Sequence, residues 1–192
     1  MHGLTLRAAA ALAGVALASS TLAAQAATRP TFGVSGGIAF PTGDFGKGSK
    51  SGYDIAAHVG FHPAGASFGV RLEGAYNQFA FKGTSTGNPH TNIFDVTGNV
   101  VVGTAAAPGT VRPYFIGGLG IYNVKAEATV NRVTVSNSAT KFGLNGGAGL
   151  DLPLSGITAF VEARFHYIFS DSGNNGLGYN AGFVPLVVGV RF

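Results

Sequence analysis

The stretch that most limits what this chain can fold into is its last one, Gly182 to Phe192, which reads as a single β-strand. Successive side chains of a strand point to opposite faces. Val184, Leu186, Val188, Val190 and Phe192 make one face wholly apolar. Phe183, Pro185, Val187, Gly189 and Arg191 make the other mixed and end it on a charge. A soluble protein rarely leaves a bulky aromatic at the end of an all-apolar strand face. A strand with lipid on one side and a polar lumen on the other carries this pattern.

Seven earlier segments repeat the alternation. Strands are predicted at Thr31 to Pro41, Tyr53 to His62, Phe68 to Phe81, Asn92 to Gly103, Val111 to about Lys125, Lys141 to Leu152 and Ile157 to Phe169. The second is close to pure: Tyr53, Ile55, Ala57, Val59 and Phe61 alternate with Asp54, Ala56, His58, Gly60 and His62. The fifth resists assignment of faces, because Gly117-Gly118-Leu119-Gly120 blurs it. Longer connections at 42–52, 82–91, 126–139 and 170–180 follow the odd-numbered strands. Shorter turns follow the even-numbered ones. The connection 126–139 is Val/Thr-rich and can extend its hairpin as a ribbon. No helix-period segment is found after the leader. The rhythm predicts an all-β fold, an eight-stranded antiparallel up-and-down barrel with long loops at one end and short turns at the other.

The address agrees with a membrane destination. Arg7, the apolar run Ala8 to Ala18 and the Ala24-Gln25-Ala26 motif form a secretory leader, with cleavage expected between Ala26 and Ala27. The expected organisation is a signal peptide over 1–26 and one barrel domain over 27–192. The apolar run is too short for a transmembrane helix. The chain has no cysteine, which excludes thiol redox chemistry and thiolate metal sites. Its formal net charge of +4 is scattered, which argues against nucleic-acid binding. Lys47, Lys50, Lys82 and Lys125 fall in or beside loops, either solvated or facing anionic headgroups.

Alternation alone leaves open which face points inward. A soluble ligand carrier would turn the apolar face in. Only 10% of residues are charged, too few to solvate a whole outer surface. The polar face is largely Gly, Ala, Asn and Ser, which suits a crowded eight-strand interior. Aromatics gather near strand ends: Phe40, Tyr53, Phe61, Tyr76, Phe94, Tyr114, Tyr122, Phe165, Tyr167, Phe169 and Phe192. These are expected to form two interfacial girdles.

The chain resembles the small OmpA/OmpX-type eight-stranded outer-membrane barrels, the porin-like outer-membrane β-barrel domain family. The resemblance rests on Gly37-Ile38-Ala39-Phe40-Pro41-Thr42-Gly43-Asp44-Phe45 with Gly52-Tyr53, on Arg112-Pro113-Tyr114, and on Val161-Glu162-Ala163-Arg164-Phe165. Phe183-Val184-Pro185-Leu186 with Arg191-Phe192 complete it. It implies residence in the outer membrane of a Gram-negative-type envelope. It also implies that Phe192 is the signal read by the barrel-assembly machinery. Fold is specified far better than function by such motifs.

The lumen carries the candidate chemistry. Arg71 and Glu73 on the third strand and Glu162 and Arg164 on the seventh lie at similar heights on strands expected to face each other. His58, Asn99 and Asn145 lie near the same level. Buried charges must pair, so an interlocking network is expected, either as packing or as a gate. His58, His62 and Asp54 share a face without a further convergent ligand, so no metal and no cofactor is assigned. His166 and Ser170 before Asn174-Asn175-Gly176-Leu177-Gly178 faintly resemble lipid A deacylases. They stand four apart, and His166 falls on the lumen face, so no enzyme is expected. Gly117-Gly118-Leu119-Gly120 precedes no helix and is not a nucleotide loop. The reading is a monomeric structural or surface-interaction protein with a side-chain-filled lumen. Its expected partners are outer-membrane lipid, the assembly machinery and a surface ligand reached through the loops, with no nucleic acid. The alternatives are a narrow pore for small solutes and a lipid-modifying enzyme.

Overall fold

The computed structural model describes residues 30–63, 66–83, 89–103, 110–130, 133–169 and 180–192. The expected leader, its cleavage position at Ala26 and Ala27, and Ser170 lie outside the described residues. Eight strands close into one barrel in sequence order. They are β1 (Thr31–Thr42), β2 (Gly52–Phe61), β3 (Phe68–Ala80), β4 (His90–Gly103), β5 (Arg112–Val130), β6 (Val133–Pro153), β7 (Thr158–Ile168) and β8 (Ala181–Arg191). Every neighbouring pair is antiparallel. The seam joins β1 to β8 from Gly33↔Arg191 to Thr42↔Gly182. Closure leaves no sheet edge, so the backbone pairs strand to strand around the barrel, as a hydrocarbon surrounding demands, with a break in the β7–β8 ladder beside Pro185.

The faces are those of a membrane barrel. Leu119 is 64% exposed, Phe142 71% and Val188 63%, while Asp95 is fully buried and Glu73 and Glu162 are 2% exposed. Apolar side chains point out and charged ones in, the inverse of a soluble core. Arginine in place of Leu119, between outward-facing Phe115 and Ile121, places a charge in hydrocarbon. Leu119→Arg should cost about 2–4 kcal/mol of folding stability if its depth is near the bilayer midplane. Urea titration in lipid vesicles reads this as an earlier loss of the compact, heat-modifiable band.

Two expectations change, and the ribbon expected at 126–139 is found. Tyr114 and Tyr122, read from sequence as girdle aromatics, are 3% and 0% exposed inside the lumen. The glycine run of β5 had hidden which parity faced in. The 126–139 connection is mostly paired strand, with β5 and β6 in register from Arg112↔Asp151 to Val130↔Val133. Their lengths of 19 and 21 residues exceed the roughly 9–11 that span a bilayer, so the hairpin projects well past the rim. The reading without any helix is also corrected. A short helix, α1 (Gly43–Gly48), follows β1. Six residues are too few for a 3.6-residue pattern to show. Its Phe45 is 3% exposed and turns into the loop end of the barrel.

Candidate functional site

The strand faces carry the polar side chains into one column along the lumen. At mid-height β3 presents Arg71-Leu72-Glu73 and β7 presents Glu162-Ala163-Arg164, with the two charges of each segment inward. Both strands run the same way, so Arg71 lies opposite Glu162 and Glu73 opposite Arg164. Arg71 Nη1 donates to Glu162 Oε2 at 2.8 Å. Arg164 Nη2 donates to Glu73. Arg164 Nε lies 2.8 Å from Glu162 Oε1, and Arg71 Nη1 lies 3.6 Å from Glu73 Oε2. Two guanidiniums and two carboxylates thus share a closed circuit, each charge facing opposite charge. The Tyr114 hydroxyl donates to Glu162 Oε2 at 2.7 Å. His58 Nδ1 stands 3.7 Å from Glu73 Oε2. All five sequence-assigned lumen residues, Arg71, Glu73, Glu162, Arg164 and His58, therefore meet in one layer. Asn99 borders it through its Nδ2, which donates to the Arg71 carbonyl at 3.4 Å.

Glycine makes the room. A Cβ on Gly33 would strike the His58 ring, one on Gly149 the Tyr114 ring, and one on Gly189 the Phe160 ring. Each of these glycines sits directly across the strand pair from the side chain it admits: Gly33↔His58, Tyr114↔Gly149 and Phe160↔Gly189. A narrow barrel accommodates bulky interior groups only if the neighbouring strand has nothing at that position. Gly149→Val should push Tyr114 off Glu162 and cost about 1–3 kcal/mol, the ordinary penalty of overpacking. A urea midpoint shifted down beside an unchanged Gly74→Ala control would check it. An added Cβ at Gly74 comes no nearer to another group than the 3.9 Å to the Asp95 carbonyl.

Layers flank the circuit on both sides. Toward the turn end, Arg191 lies 4.6 Å from the Phe160 ring and 5.2 Å from the Tyr114 ring, measured from its guanidinium carbon. Its Nη1 donates to Asp151 Oδ2 at 2.9 Å. Toward the loop end, Asn77 Nδ2 donates to Asp95 Oδ2 at 3.3 Å, and the Tyr122 hydroxyl meets His166 Nδ1 at 3.0 Å. The His166 ring stacks on Phe183 at 4.8 Å. Phe79 then packs edge-on to Phe183 at 5.5 Å and to Phe45 of α1 at 5.0 Å. Ala39, Ile93, Val124, Ile168 and Ala181 complete this apolar cluster.

Sequence reasoning missed Tyr114, Asp151 with Arg191 as a pair, and Phe45. Arg191 and Asp151 were both on lumen faces, but β7 separates their strands, and the inward curve of the sheet brings them together across it. His62 lies beyond β2 in the turn and does not join His58. His166 is 2% exposed inside the lumen. Phe192 pairs its backbone with Phe32 at 2.9 Å in both directions, extending the seam at the turn end.

The barrel is similar to known outer-membrane structures. Neisserial surface protein A superposes with a TM-score of 0.62 at 15% identity, covering 84% of this chain and 95% of that one. A major outer membrane protein from Thermus thermophilus gives 0.60 at 15% identity, covering 85% and 98%. No curated protein sequence matches the chain. Residues 8–192 match the family described as the outer membrane protein beta-barrel domain. With a closed eight-stranded barrel, an apolar outer face and a charged interior already in place, that match settles the class: the chain belongs to the outer membrane protein β-barrel domain family and resides in the outer membrane.

Proposed function

We propose that this protein is a non-enzymatic outer-membrane barrel whose lumen is filled by side chains and whose work is done by its loops and by its presence in the envelope. The observation that carries the reading is the stack of interior layers. Arg191 with Asp151, the Arg71–Glu162–Arg164–Glu73 circuit, and the cluster of Phe79, Phe183 and Phe45 follow one another along the axis. An eight-strand barrel is just wide enough for such filling. A lipid A deacylase would need its histidine at the lipid face, and His166 is buried inside. The strands β5 and β6, longer than a bilayer requires, offer a surface for an external partner. Export by the leader and recognition of Phe192 by the barrel-assembly machinery belong to the same reading, as does a monomeric state.

The test is to shorten the β5–β6 hairpin to the rim by joining residue 126 to residue 139 through a short turn. Cells carrying the trimmed chain should keep a normal level of folded barrel but lose the surface binding or detergent resistance given by the full chain. Full activity from the trimmed barrel would overturn the loop assignment. One observation favours a second reading, a narrow path for water or very small solutes. Lys141 Nζ, Asp95 Oδ1 and both amide atoms of Asn145 are buried without protein partners. Such groups require solvent beside them.

A further inference from the structure

The turn end of the lumen opens into a cavity of about 910 Å³, within the range of small-molecule sites. Its wall includes Arg112, Arg191, Asp151, His62, Ser67 and Thr158. Short turns of outer-membrane barrels face the periplasm, so this cavity is reached from that side. The charged side chains on its wall do not balance, two arginines standing against Asp151 alone. Arg112 stands directly across the strand pair from Asp151. Asp151 nevertheless turns to Arg191, whose Nη2 lies 2.8 Å from its Oδ1. Among the described residues no carboxylate comes within ion-pair distance of Arg112, and its Nε is buried without a hydrogen-bond partner. Arg191 Nε is likewise buried and unpartnered. His62, in the turn at the mouth, feels the excess. Its imidazole pKa is pushed below the ordinary value by burial first, then by Arg191, Arg71 and Arg112.

A guanidinium fixed on the wall of a recess, with its expected carboxylate engaged elsewhere, is the arrangement that takes an anion. We propose that this vestibule is a binding site for a small organic anion, a carboxylate or a phosphate monoester, presented from the periplasm. Arg112 is the primary charge, Arg191 the fixed second one, and the hydroxyls of Ser67 and Thr158 are the neighbouring donors. This goes beyond the proposed role of the loops and is independent of it. The site lies at the opposite end of the barrel and can fail while that role stands.

The experiment is calorimetric titration of the full mature barrel, folded in detergent at low salt, with citrate and separately with glycerol phosphate. Saturable binding of either probe is expected, weakened at least tenfold in Arg112→Gln and unchanged in Lys47→Gln at the loop end. Citrate alone binding assigns a carboxylate ligand, glycerol phosphate alone a phosphate. Absence of saturable binding of both, or equal binding by Arg112→Gln, overturns the proposal. If Arg112→Gln does not fold, labelled wild-type barrel decides by NMR. Probe-induced shifts confined to the turn end, at Arg112, Ser67 and Thr158, uphold the site. Shifts at Lys47, Lys50 and Lys82 instead overturn it.

Discussion

Glu162→Ala is expected to lower the unfolding free energy of the barrel by about 3–5 kcal/mol, the cost of leaving buried charge without its partner. Glu162 accepts from Arg71 at 2.8 Å and from Tyr114 at 2.7 Å, and lies 2.8 Å from Arg164. Its loss leaves one carboxylate, Glu73, to compensate two guanidiniums in a layer that water barely reaches. Removing the whole circuit should behave differently. In Arg71→Met, Glu73→Leu, Glu162→Leu, Arg164→Met combined, no charge is stranded. Apolar replacement of a complete buried network is often neutral or stabilising by about 1–4 kcal/mol. The two results together separate an interaction that is costly to break from one that is strongly stabilising on its own. Urea titration of vesicle-inserted barrels, followed by the heat-modifiable band, measures both. Equal stability of Glu162→Ala and the wild type would mean that the circuit is not formed.

Phe79→Ala should cost a similar amount, about 3–5 kcal/mol, for a different reason. Phe79 has no exposed surface and joins the ring of Phe45 on α1 to that of Phe183 on β8. Its removal leaves a void that the stiff barrel wall cannot close. It also frees α1, since Phe45 is the one residue of that helix that is buried. Phe142 is the matched control. It is 71% exposed on the lipid face, and acyl chains refill the space it vacates, so Phe142→Ala should cost much less. Comparable losses at the two positions would contradict the assignment of inside and outside.

Strand number, order and facing were legible because the period-two pattern is continuous where one face meets lipid and the other a polar lumen. The complement of Arg71 and Glu73 with Glu162 and Arg164 was also legible, since both segments lie at similar distances from a turn. Legibility ended where glycine replaced a side chain. In β5 the lumen-facing Gly118 and Gly120 make room for Asn99 and Thr97 on the neighbouring strand. That glycine on the inner face hid the alternation and sent Tyr114 and Tyr122 to the wrong side. A rule pairing a bulky inner residue with the glycine across the strand would have placed Tyr114, which faces Gly149, but not Tyr122, which faces Lys141 and Asp95. Contacts between strands that are not neighbours, such as Arg191 with Asp151, carry no local signal. The helix α1 carries none either, because it is formed by one inserted phenylalanine rather than by a periodic face.

Whether the lumen is filled along its length is most directly tested by single-channel recording of the mature chain in a planar bilayer, with insertion confirmed independently. The proposed filling from Arg191 to Phe45 predicts an electrically silent membrane, and Phe79→Ala alone should leave it silent because the charged circuit remains. Steady, discrete current steps from the wild-type barrel would contradict the filled lumen and establish a continuous aqueous path past Arg71, Glu73, Glu162 and Arg164.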